Sequence, residues 1–321
     1  MLRRTCALAS IAFVLSLSAA TNAMATAQRT FVASNGNDAN PCSIVSPCRA
    51  FAAAIAQTIA GGEVIVLDSA GYGPVTISQS VSLIAPAGVY AGISVASGNG
   101  VTIATAGVAV TLNGLTINGI GGANGILMTD GVSLQVENCT VSGFNLNATA
   151  AINISAFAEV VISNTVVTKS NIGIALDGGV NAHISNVKAI NNTAQGIVMG
   201  GTNNAPTFAI VSESIASHNG DYGFVVLGQN AFAQGGLGAC SICSRTMTVV
   251  NSSSSGNSGS GMGAVGTGAM MSVSSSTAAN NSGFGLNRDF GSTVRSAQNN
   301  VLTDNQLGPT IGTITTGGMI F

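Results

Sequence analysis

One phrase recurs three times between Gly125 and Gln195. Gly125-Ile-Leu-Met leads to Val132-Ser-Leu-Gln-Val-Glu-Asn-Cys-Thr-Val, Ala151-Ile-Asn-Ile to Val160-Val-Ile-Ser-Asn-Thr-Val-Val, and Gly173-Ile-Ala-Leu to Ala182-His-Ile-Ser-Asn-Val-Lys-Ala. In each unit the Asn (Asn138, Asn164, Asn186) falls thirteen residues after the first residue, while the units begin 26 and 22 residues apart. A fixed internal offset within a period of this size belongs to a solenoid, whose coils repeat their strands and vary their turns. An antiparallel sandwich or barrel also has short strands and regular turns, but nothing in it demands a constant offset.

The rest of the chain carries the same grammar. Strand-like runs at Glu63-Val-Ile-Val-Leu, Pro74-Val-Thr-Ile, Val81-Ser-Leu-Ile, Val101-Thr-Ile and Val108-Ala-Val-Thr-Leu are bounded by Gly, Pro, Ser or Asn and are too short for helices. Coil starts recur at Gly92-Ile, Gly125-Ile, Ala151-Ile, Gly173-Ile, Gly196-Ile, Gly223-Phe, Gly261-Met and Gly283-Phe. Their second and fourth residues are apolar, which turns one face of each strand inward. Strands this far apart in sequence that pair in register are parallel, and parallel crossovers are right-handed. The expected fold is all-β, a right-handed parallel β-helix with a short N-terminal capping helix. Stacking puts like over like, so Asn138, Asn164 and Asn186 are expected as a structural ladder at a turn, with Ser274 and Ser296 at the same offset further on. Extra residues around Asn203 to Pro206 and Gln229 to Arg245 are expected as projecting loops.

Residues 1–27 read as an export signal: Arg3 and Arg4, an apolar run from Ala7 to Ala20, then small residues around Ala25. The run is short for a membrane span, and no transmembrane segment is expected after cleavage. Residues 28–62 read as a cap, in which Ser46-Pro47 starts a helix that places Phe51, Ile55 and Ile59 on one stripe and ends at Gly61-Gly62. Residues 63–310 form the coils, and 311–321 a C-terminal strand or tail. The closing Phe321 is a mark of outer-membrane barrel strands, but no set of barrel-length strands precedes it.

Export favours disulfides, with Cys42–Cys48 and Cys240–Cys243 as the local pairs and Cys139 as a small buried side chain. A zinc site built from both pairs has the wrong first spacing and a long separation. Cys240-Ser-Ile-Cys243 has no thioredoxin-like setting, so a disulfide tying a loop is the expected role. Charged residues are only 6% of the chain and its net charge is −2 with no basic stripe. Nucleic acid is therefore excluded as an expected partner, and the surface must be coated with Ser, Thr, Asn and Gly.

The opening Phe31-Val-Ala-Ser-Asn-Gly-Asn-Asp, Asn-Pro-Cys42, Pro-Cys48-Arg, Phe51 and Ala54, then Gly-Gly-Glu-Val-Ile-Val-Leu-Asp68 and the Gly-Ile-x-Leu coils, resemble exported bacterial parallel β-helix proteins of the pectin-lyase-like superfamily. The resemblance spans about 30 to 310. It implies the fold but no single activity, since that superfamily includes polysaccharide lyases, glycoside hydrolases, esterases and adhesins. The Asn-Thr-Asp, Asp-Asp, Gly-His-Gly and Arg-Ile-Lys signatures of its polygalacturonase-like members do not occur in this sequence, nor does a dense aspartate group like that of the calcium-dependent pectate lyases.

The nearest thing to a charge group is a scatter over the central coils. Asp130, Glu159 and Asp177 fall five, eight and four residues after their coil starts, near the turn after the first strand. Two coils of ~4.8 Å would separate Asp130 from Asp177 by roughly 10 Å, near the limit for carboxylates that share a water. His183 and Lys188 are expected to point outward beside them. The five form a candidate groove for a sugar or a cation; the competing reading is that sparse turn charges only solubilise the rod. His218 reads as a solvent-facing corner residue. No phosphate loop, Gly-x-Ser-x-Gly elbow or His-Glu-x-x-His is present, and no cofactor or metal is expected. The expectation is an exported β-helix, periplasmic, at the cell surface or extracellular, that binds a polysaccharide or a cell-surface protein without catalysis. The alternative is a polysaccharide lyase or hydrolase with a divergent site.

Overall fold

The computed structural model describes residues 27–201, 205–229, 231 and 244–316. Residues 1–26 of the expected export signal and both Cys240 and Cys243 lie outside the described residues.

Each coil has three short strands, and like strands stack in parallel into three sheets of ten, twelve and ten strands. In the coil that starts at Gly125 these are Asn124–Asp130 in sheet 1, Ser133–Glu137 in sheet 2 and Thr140–Ser142 in sheet 3. The next coil contributes Ala150–Ser155, Glu159–Ser163 and Val166–Thr168. Register aligns the apolar positions into columns: Ile126, Ile152, Ile174, Ile197, Phe224, Met262 and Leu286 follow one another inside sheet 1, each with no exposed surface. Val136, Ile162, Ile184, Val211, Val249 and Val273 do the same inside sheet 2. Each such side chain contributes about 1.5–3 kcal/mol by leaving water, and the columns join into one core along the axis. Glycine opens most coils because the chains nearly touch there; a Cβ on Gly125 would lie 2.5 Å from the Ala151 carbonyl oxygen.

The corner between sheets 2 and 3 explains the repeated Asn. Asn138, Asn164 and Asn186 have φ of 53°, 49° and 50°, and the column continues through Glu213, Asn251 and Ser275. This left-handed conformation costs most side chains about 1–2 kcal/mol and Asn less. Ser275, not Ser274, holds that corner: Ser274 is the last strand residue and pairs with Val250, while Ser296 pairs with Val273. Two coil starts also shift. Gly92-Ile93 belongs to sheet 3, and the sheet 1 strand of that coil is Asn99–Ala104, whose Val101 pairs with Ile126. Near the end, Leu286 rather than Phe284 stacks on Met262, so Gly285 takes the place expected of Gly283. Two neighbouring Gly-apolar pairs look alike in sequence, and register chooses between them.

The corner between sheets 3 and 1 carries a second ladder that is buried. Nδ2 of Asn192 donates to Oδ1 of Asn219, Asn219 to Asn257, Asn257 to Asn281 and Asn281 to Asn305, at 3.0, 3.0, 2.9 and 2.8 Å. Each acceptor oxygen also takes the backbone N–H of the preceding rung. A hydroxyl column beside the first corner works similarly: Thr165, Ser214, Ser252 and Ser276 each donate to the carbonyl two residues back. Cys139 occupies the same slot, with its thiol 3.1 Å from the Glu137 carbonyl, which accounts for a buried free cysteine.

The first coil is closed by the segment before it. The helix is Phe51–Gln57, shorter than expected, and Thr58 already begins the strand Thr58–Val66, so Ile59 leaves the stripe. Ser46-Pro47 does not cap it. That pair sits in the loop bridged by the Cys42–Cys48 disulfide, and the helix entry is held instead by Oδ1 of Asp38, which accepts the N–H groups of Arg49 and Ala50 at 2.8 Å. Phe51 packs on Tyr72, and the Arg49 guanidinium lies 5.6 Å over the same ring. Asp68 ties the layer together by accepting from the backbone N–H and hydroxyl of Ser34 and from the Tyr72 hydroxyl. Those donors hold its carboxyl below the usual range, the Ser34 hydroxyl contributing most.

Candidate functional site

The five expected groove residues divide among three sheets. Asp130 ends a sheet 1 strand, exposed, with Oδ1 accepting the Gly131 N–H at 2.8 Å. Asp177 ends the sheet 1 strand Ile172–Asp177, and its carboxylate receives Nη2 of Arg245 at 3.2 Å. Arg245 is fully buried and also donates to the Leu227 and Gly201 carbonyls at 2.7 and 2.9 Å. Burial draws its pKa below the ordinary value, and Asp177 opposes that shift. Lys188 lies on sheet 3, beyond the Asn186 corner. Only Glu159 and His183 share a face, on neighbouring strands of sheet 2, with Glu159 paired to Asn181 and Val161 to His183. A short offset from a coil start does not say on which side of a corner a residue falls.

The exposed Asn column is linked in pairs. Asn186 donates to Asn164 at 2.8 Å, and Asn138 to Asn113 at 3.4 Å. His218 is exposed at the other corner with φ of 54°. Arg245 belongs to the strand Arg245–Val250 rather than to the expected loop, and its parity with Met247 and Val249 is the sequence signal that it points inward.

Sheet 2 presents an open groove of about 330 Å³ on its outer face, lined by Ser82, Thr111, Ser133, Gln135, Glu159 and Val161 among others. Strand alternation forces this: the residues between the buried Leu134, Val136, Val160 and Ile162 must face water. Glu159 also borders a second depression of about 260 Å³ with Val132, Phe157, Ala158 and Gly179, so the two meet at its carboxylate. Phe157 is 72% exposed, and its ring leans on Gly179, where a Cβ would lie 2.8 Å from the ring. One face of an aromatic ring is thereby packed and the remainder left to solvent. Phe208 and Ile210 extend the apolar margin at 48% and 45% exposure.

The polar side chains of this face are already ordered. Nδ2 of Asn181 donates to both oxygens of Glu159, at 3.1 and 2.9 Å. Gln135 donates to Glu137 at 2.7 Å, and Asn113 to its other oxygen at 3.3 Å. From Val81–Ile84 to Ala269–Ser274, the outward residues of sheet 2 include Glu137, Glu159 and His183 but no Lys or Arg. The outer face of sheet 1 differs. Ala175, Val198, Val225 and Leu227 are buried there in a second apolar cluster with Tyr222. Beside it burial pushes the Asp221 carboxyl up, against a 2.9 Å hydrogen bond from Gln195. No group of three or more His, Cys, Asp or Glu suited to a metal occurs among the described residues.

A family model for the right-handed β-helix region matches residues 99–234. Among solved structures, pectate lyase Pel9A is 14% identical with a TM-score of 0.59, over 90% of this chain and 79% of the lyase. A rhamnogalacturonan lyase (13% identity, TM-score 0.45, 85% of this chain and 75% of that one) and the Dettilon tailspike protein (14%, 0.44, 78% and 58%) are also similar. No curated protein sequence matches. At these identities the likeness is one of fold.

Proposed function

Because the chain is a right-handed parallel β-helix of the pectin-lyase-like fold, we propose that it acts as an exported, non-catalytic binding protein whose sheet 2 groove holds a glycan. The observation that carries this reading is the continuity at Glu159: a trough in which hydroxyl, amide and carboxylate groups alternate with apolar side chains such as Ala109 and Val161 runs into an exposed aromatic ring. Glycan recognition uses this pairing, with hydroxyls bonded at the edges and an apolar face laid on an aromatic. The Cys42–Cys48 disulfide is compatible with export.

The second reading, a polysaccharide lyase or hydrolase with a divergent site, is favoured by the shared fold with pectate lyase Pel9A. Against it, Glu137 and Glu159 lie one coil and four residues apart in register, roughly 14 Å from strand spacings. That exceeds the separation at which two carboxylates divide acid and base work across one glycosidic bond. Both also hold amide donors. Affinity electrophoresis through polysaccharide-containing gels tests the proposal, with Phe157→Ala as control. Retardation that Phe157→Ala abolishes is the expected result. Release of reducing ends or unsaturated products at enzymatic rates would replace it with the second reading.

A further inference from the structure

We infer that this groove selects neutral glycans bearing adjacent hydroxyls and turns away polyuronates; the inference rests on the glycan-binding reading above and adds the ligand's charge. The charge on this face is carried by carboxylates: Glu159 lines the groove, and Glu137 points outward on the neighbouring strand four residues further along the register. Glu159 uses its carboxylate on Asn181 Nδ2, and Glu137 uses its own on Gln135 and Asn113. Those bonds use both Nδ2 hydrogens of Asn181 and one amide hydrogen each of Gln135 and Asn113 within the protein. The carboxylates have about four lone-pair sites each and keep capacity for more donors. Two neighbouring hydroxyls of a neutral sugar supply such donors, and a carboxylate accepts both at once as it would a bidentate partner.

A uronate brings the opposite chemistry. Its carboxylate needs donors or a positive charge, and the outward residues from Val81–Ile84 to Ala269–Ser274 include no Lys or Arg. The nearest arginine toward the N-terminal end, Arg29, is already paired with Glu63 at 2.6 Å. Arg295 lies at the other end of sheet 2, six strands beyond the one that carries Gln135, roughly 29 Å at ~4.8 Å per strand. That distance is well past the Debye length at physiological salt. Arg245 is buried against Asp177 and offers no cation to a ligand. His183 and the groove hydroxyls can donate hydrogen bonds to a uronate, but the face sets the Glu137 and Glu159 carboxylates against it with no Lys or Arg to offset them.

The test is isothermal titration of the full chain at physiological ionic strength, where charges are screened over roughly 8 Å. The probes are oligomers of glucose, mannose, galactose and xylose, and oligogalacturonate of matched length. The best neutral oligomer is expected to bind at least roughly tenfold more tightly than oligogalacturonate, the scale of one like-charge contact at a wetted surface. The gap should narrow in 0.5 M salt (roughly a 4 Å screening length) and in the Glu137→Gln, Glu159→Gln double variant. Both positions are on the surface, so the variant should keep the circular dichroism of the parent. Oligogalacturonate binding as tightly as the best neutral oligomer, in a groove that Phe157→Ala disables, would overturn the selection and leave the binding reading standing. Binding of none of the probes would overturn both.

Discussion

Replacing Asn219 with Ala tests whether the buried Asn ladder, rather than the exposed one, holds the coils together. Oδ1 of Asn219 accepts the backbone N–H and Nδ2 of Asn192 at 3.1 and 3.0 Å, and its Nδ2 reaches Asn257 Oδ1 and the Ala189 carbonyl at 3.0 and 3.1 Å. Truncation orphans two donors on Asn192, itself 2% exposed, while Asn257 Oδ1 still receives the Asn219 N–H. At about 1–3 kcal/mol for each buried orphan, the loss is about 2–6 kcal/mol. Asn186→Ala is the comparison: it gives up one exposed bond and places Ala in the left-handed region, about 1–2 kcal/mol, whereas Asn186→Gly avoids the backbone cost. Urea unfolding at constant m reads both, provided each variant unfolds in one transition. Asn219→Ala costing no more than Asn186→Ala would refute the reasoning.

Four further outcomes follow from the same structure. Asp177→Ala leaves Arg245 buried with its main-chain bonds but without its counter-charge, and should cost about 3–5 kcal/mol in unfolding measurements without changing glycan affinity. Asp221 has its pKa raised, so its ionisation opposes folding above that pKa, and the penalty vanishes as pH falls through the folded value to below the unfolded one. Asp221→Asn should therefore stabilise the protein at pH 7 and give no gain below about pH 4, read as the shift in urea midpoint. Asp68 has the opposite sign: its contribution is present above the unfolded pKa and lost as pH falls through the lowered folded value, so Asp68→Asn should flatten the acid loss of the Tyr72 near-ultraviolet signal. Burial pushes the Cys139 thiol up to about 11, so a thiol reagent at pH 8 should label it only after denaturation.

The coil grammar was legible because it is written in conformation. Asn138, Asn164 and Asn186 announce a left-handed corner, and Ile152 or Ile174 after a small residue announces an inward column. Asn192, Asn219, Asn257 and Asn281 were equally regular, each four residues before a Gly that opens a coil, but they are separated by insertions of different length. Gly283-Phe284 mimics a coil start two residues before the real one at Gly285, and counted from it Asn281 is out of phase. The candidate site was less legible for a different reason. Asp130, Glu159 and Asp177 all sit near one corner, yet a corner divides faces, and one or two residues decide between sheet 1 and sheet 2. Asp177 was further claimed by Arg245, 68 residues later, a partner that no local pattern signals.

Hydrogen exchange of the full chain with and without a saturating neutral oligosaccharide tests the location of binding most directly. The account predicts protection in 133–135, 157–161 and 179–183, the segments that form the sheet 2 groove and its Phe157 margin. Protection confined to the sheet 1 strands Asn124–Asp130, Ala150–Ser155 and Ile172–Asp177, with none around Glu159, would contradict it.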